Sequence, residues 1–218
     1  MVTQLDLKEM ERRAFRSTFQ DGLLDIDIGG VLVGMSLLSG IPESDEFPLA
    51  RFLLAFGVIG LSWLIFWAGK KFVTLPRLGQ VKFGAERHKR KRTLAAVLVV
   101  IVAFQTLVVL SSVALWNNPE LAAGVPFLSG GQTATTLLVA SIGALFVGPS
   151  MALIAYFNDF LRGYYIALVM AAAVFLMIWF DSPRYLLAGA ALIIIPGAVL
   201  FIRFLHRYPR PPAEASHE

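Results

Sequence analysis

The chain has 218 residues, 57% of them hydrophobic and only 16% charged, with a mean hydropathy of +0.70. Soluble domains carry about a quarter of their residues charged, so this deficit, with its long apolar runs, places the chain among polytopic membrane proteins. The absence of cysteine excludes a disulfide framework, a thiolate nucleophile and a cysteine-ligated metal. The net charge of +4 matters less than where the charges fall.

Residues 1–21 are polar and lack the short apolar core and small-residue cleavage pattern of a signal peptide, so they are expected to be retained. Within them, "LDLKEMERRAFRSTFQ" (5–20) combines a basic face with Leu7, Met10, Phe15 and Phe19. Two readings stay open: a helix lying in the cytoplasmic headgroup layer, or a solvated helix leading into the first span.

Runs of about 17–25 apolar residues can cross the hydrocarbon as helices, because only a helix satisfies its own backbone there. Six such runs are read: 22–40, 48–68, 94–116, 135–157, 164–180 and 185–205. The first, opened by "FQDGLLDIDIGGVLVG" (19–34), is the shortest and the most polar. On a helix, Asp21 and Asp25 share a side with Gly22, Gly29 and Ser36. Asp27 lies on another side with Gly30 and Gly34, a GxxxG pair suited to close helix approach. Each carboxylate can thus face protein rather than lipid, with Lys70, Lys71 and Arg203, at the ends of other spans, as expected counter-ions. A divalent-cation site built from the same three aspartates is the competing reading.

Between the second and third spans, "KKFVTLPRLGQVKFG" (70–84) alternates apolar residues about Pro76-Arg77-Leu78-Gly79, which predicts a small cytoplasmic β-hairpin. The basic run that follows supplies Arg87, Lys89, Arg90, Lys91 and Arg92, and Lys82 precedes it within the hairpin. Placed flush against a span, these residues suit anionic lipid headgroups or topological anchoring better than nucleic acid. The connection 117–132, rich in glycine and proline, reads as an external connector, with a gate or re-entrant loop as the sharper alternative. In the fourth span Thr136, Ala140, Ala144, Gly148 and Ala152 form a small-residue side that Pro149 should bend, and Pro196 should break the sixth span similarly.

Of the 19 Lys and Arg, all but Arg51 and Arg184 fall on one side of this six-span alternation, facing Glu43, Asp45, Glu46, Glu120 and Asp181 across it. The positive-inside bias then puts both termini in the cytoplasm. Trp116, Trp179 and Phe180 mark outer ends, while Trp67, Tyr156, Tyr164 and Tyr165 mark inner ones. The expected architecture is an all-α membrane protein. It has a cytoplasmic segment 1–21, a six-helix bundle 22–205 with a basic hairpin region 69–93, and a disordered cytoplasmic tail 206–218.

The aromatic–Gln–Asp–Gly–Leu opening of the first span and the Pro76-Arg77-x-Gly79-x-Val81-x-Phe83 stretch resemble a group of uncharacterised bacterial integral membrane proteins. The resemblance covers the first 95 residues or so and departs at Leu24 and Asp27. It implies a bacterial inner membrane and carries no activity with it.

No HExxH, GxSxG or P-loop occurs, and His88, His206 and His217 all lie outside the expected spans. The leading expectation is an accessory, scaffold or regulatory membrane component that contacts anionic lipid, a membrane-protein partner or a second copy of itself, without a cofactor. A small transporter or permease-like protein comes second. A metal-dependent lipid-headgroup enzyme using Asp21, Asp25 and Asp27 comes third.

Overall fold

The computed structural model describes residues 19–39, 48–78, 85–118 and 131–209. Among them every regular element is helical: α1 (Leu23–Ser39), α2 (Pro48–Ala68), a π-helical turn (Gly69–Thr74) running directly into α3 (Leu75–Leu78), α4 (Ala85–Asn117), α5 (Gly131–Phe157), α6 (Arg162–Trp179) and α7 (Arg184–Arg207).

Five stretches are long and apolar enough to cross a membrane: Leu49–Arg77, Lys89–Ala114, Thr133–Phe157, Arg162–Trp179 and Arg184–Arg207. The chain is therefore a multi-pass membrane protein on length and composition. The expected count of six is reduced to five on that criterion, because α1 has 17 residues. At about 1.5 Å per residue it reaches some 25 Å, short of a hydrocarbon core of about 30 Å.

The β-hairpin is not found. Residues 69–78, its first arm and most of its turn, are helical, and 79–84 lie outside the described residues. The backbone bonds of α2 continue past the end of the apolar run, which leaves no unpaired strand edge near the membrane. Pro76 has no N–H and crowds the carbonyl four residues back. Widening the preceding turn relieves that crowding, and the Leu75 N–H accordingly bonds the Lys70 carbonyl five residues back.

The helices fall into two units, one holding α1, α2, α3 and α7 from Leu186, the other holding α4, α5 and α6. In the first, α1 is the core. Leu23, Asp25, Gly29, Leu32, Gly34 and Ser36 are all buried, whereas α2 is exposed along most of its length. Contacts step in opposite directions along α1 and its neighbours. Leu23, Gly30 and Gly34 meet Gly69, Ser62 and Ile59, while Gly22 and Gly29 meet Gly197 and Ile194. α1 is thus antiparallel to both α2 and α7 and lies beside their apolar middles.

In the second unit, α5 and α6 pack through small residues: Gly148 on Ala171, and Gly163 on Ala155. Asp159 and Asp181, at φ of 51° and 46°, occupy the left-handed conformation that ends α5 and α6. The Phe160 and Ser182 N–H groups donate to the carbonyls of Ala155 and Met177 there, at 2.8 and 3.0 Å.

Candidate functional site

The polar groups of the first unit gather where α1 begins. Asp21 is fully buried, and its carboxylate takes three donors. The Lys70 ammonium donates at 2.7 Å, the Thr74 hydroxyl at 2.6 Å and the Leu23 N–H at 3.3 Å. Lys70 and Thr74 sit at either end of the π-helical turn, so that turn is what aims both at one carboxylate. Such single π-turns inside helices are frequent at functional sites. Lys70 keeps 20% of its side chain exposed, and its ammonium also lies 5.8 and 5.7 Å from the ring centroids of Phe19 and Phe66. A carboxylate with a charged donor and two neutral ones is well compensated in a low-dielectric setting.

The next residue makes that burial geometrically workable. Gly22 has φ of +74°, and a Cβ there would collide with the Gly197 carbonyl oxygen. A Cβ on Gly197 would in turn stand 2.7 Å from the Asp25 Cβ. The start of α1 therefore touches α7 backbone to backbone directly beside the ion pair, next to Pro196, which interrupts the α7 hydrogen-bond ladder.

The three aspartates face three different neighbours. Asp21 meets Lys70 and Thr74, and Asp25 is buried against Gly197 of α7. Asp27 accepts a 3.0 Å hydrogen bond from the Ser62 hydroxyl of α2. Among the described residues, no three of His, Asp and Glu come together as a metal ion would need. Lys71 is not at this cluster; its ammonium lies 4.8 and 5.5 Å from the ring centroids of Trp67 and Phe72. Arg203 is exposed on α7. Thr74 and Ser62 are donors that the aspartate pattern alone does not point to. The one signal for them is their place as polar residues in or beside an otherwise apolar run.

The basic run lies on the first turns of α4, where Lys89, Arg90, Lys91 and Arg92 are exposed. At 33 residues, α4 spans about 50 Å, so its basic end projects well beyond a hydrocarbon core of about 30 Å. Arg90 also reaches Asp159 at 3.5 Å. Lys82 and the side chain of Arg87 lie outside the described residues. Further along α4, Gln105 donates to the Phe146 carbonyl at 3.0 Å, next to Pro149 of α5.

Comparison with family models, with curated proteins and with solved structures gave no match.

Proposed function

We propose that this is an accessory or regulatory component of a bacterial inner membrane that works through its surfaces, contacting anionic lipid and partner proteins. The observation that carries the reading is how Asp21 is used. A fully buried carboxylate takes donors from Lys70, Thr74 and the Leu23 N–H, so it serves to hold the start of α1 against the turn that follows α2. Asp27 is likewise engaged by Ser62. A carboxylate that moves a cation or activates water needs an accessible face, and Asp21 has none.

In this reading α1 is a sixth, short span, and both termini are cytoplasmic. Its antiparallel packing beside the apolar middles of α2 and α7 supports that placement. The positive-inside bias supports the orientation. The exposed run Lys89–Arg92 then meets the anionic inner leaflet, where each cation contributes about 1 kcal/mol.

Melting of the purified chain with and without Mg²⁺ or Mn²⁺ tests the proposal. We expect Asp21→Asn to melt lower by the same margin in either condition, and the native chain to be indifferent to the ions. A cation-dependent gain, lost in Asp25→Asn and Asp27→Asn, would instead favour the lipid-headgroup enzyme, since a ligand held only by the folded state raises its stability.

A further inference from the structure

We infer that α4 and α5 form a site for one anionic phospholipid, with its headgroup at Lys89 and Arg90 and one acyl chain in the groove between the two helices. This deepens the lipid-contact reading above and rests on it. The groove holds about 470 Å³ and is lined by Val100, Ile101, Phe104, Ile142, Leu145 and Pro149. The polar groups at its edge, Gln105 and Ser150, are already joined to the Phe146 carbonyl, so the groove offers a ligand hydrocarbon contact alone.

Position decides the kind of occupant. The groove lies within two membrane-crossing stretches, where the surrounding solvent is lipid chains. Its lip is open, with Val100 68% and Leu145 65% exposed. Partner helices in membranes dock through small residues, whereas bulky Val100, Phe104 and Leu145 hold a neighbouring backbone away. A flexible chain can follow such a surface where a helix cannot.

Charge and length fix the class of lipid. Arg90, Leu94, Val97, Ile101 and Phe104 recur at steps of three or four, so Arg90 shares the α4 face that lines the groove. From Arg90 to Ile101 and Phe104 the helix rises about 16–21 Å, the depth of one leaflet from headgroup to chain end. Arg90 is held by Asp159 yet keeps 58% of its side chain exposed, and Lys89 beside it is exposed as well. A phosphate at that end meets the Lys89 ammonium and the exposed side of the Arg90 guanidinium just as its chain reaches the groove.

The test is native mass spectrometry of the full chain in detergent, titrated with phosphatidylglycerol or with phosphatidylcholine of the same chains. The native chain should prefer phosphatidylglycerol, and Lys89→Gln with Arg90→Gln should weaken that binding about tenfold or more. Val100→Trp and Leu145→Trp fill the groove from exposed positions on different helices, so both should melt normally without lipid. Each should nonetheless lose most phosphatidylglycerol binding with the cations intact. Short-chain phosphatidylglycerol, whose chains end before the groove, should bind the native chain as weakly as those variants bind the full-length lipid. Native-like binding by the filled variants, or equal binding of short and long chains, would overturn the groove while leaving surface contact with anionic lipid standing. No preference over phosphatidylcholine would overturn both. Disulfide cross-linking of Leu145→Cys between two copies in native membranes would make the groove a protein interface and also overturn the inference.

Discussion

Asp21 concentrates the chemistry of this fold in one carboxylate. Asparagine there keeps the shape but removes the charge facing Lys70, and breaking a buried pair costs about 3–5 kcal/mol. Because Lys70 is partly exposed, the lower end of that range applies. We expect Asp21→Asn to lower stability by about 3 kcal/mol and Thr74→Val by about 1 kcal/mol, read by thermal or denaturant melting in detergent. The adjacent backbone contact is as demanding. Gly22→Ala combines a left-handed φ with a collision against Gly197, so a loss of about 2–5 kcal/mol follows from strain and overpacking together. Gly57 and Gly60 of α2 have open space where a Cβ would go. Gly57→Ala should therefore be neutral or stabilising by up to about 1 kcal/mol, a contrast that separates close packing from mere glycine content.

Among the elements, five of the six expected spans were legible as long apolar helices, because apolar runs about as long as a membrane is thick have few other structures open to them. The two seams of α1 were visible too, since Gly22 and Gly29 repeat on one side and Gly30 and Gly34 on another, and these sides meet α7 and α2. The stretch 69–78 was not legible. Val73 and Leu75 alternate as in a strand, and Pro76 suits a turn as well as the first turn of a helix, so local pattern leaves both states open. Continuity with α2 decides it, through a π-helical turn that spacing at 3.6 residues does not anticipate. The choice among Lys70, Lys71 and Arg203 was hidden for the same reason, because that turn determines which ammonium reaches Asp21. In the second unit Pro149 weakens the α5 ladder and Gln105 bridges to it from α4. Gln105→Leu should cost about 0.6–1.5 kcal/mol, the range for hydrogen bonds between membrane helices. An unchanged melting point would show that the bridge contributes nothing to stability.

For the whole molecule, the proposed orientation rests on charge and parity together. Reporter fusions after Arg87 and at the C-terminus should report the cytoplasm, and those after Glu120 and Asp181 the outside. These four positions lie after α1 and do not depend on whether it crosses. With α2 crossing, the connection between α1 and α2 is outside either way; what depends on α1 is the side of the segment before it, and that crossing is what the buried Asp21, Lys70 and Thr74 are proposed to secure. Thr3, in the segment before α1, therefore offers the most direct test: Thr3→Cys, in a chain with no other cysteine, probed in intact and in opened cells with a membrane-impermeant maleimide. Labelling only after the cells are opened, with the C-terminus inside, is the predicted result. Labelling in intact cells, from the outside, would mean that α1 does not cross, and would contradict the account.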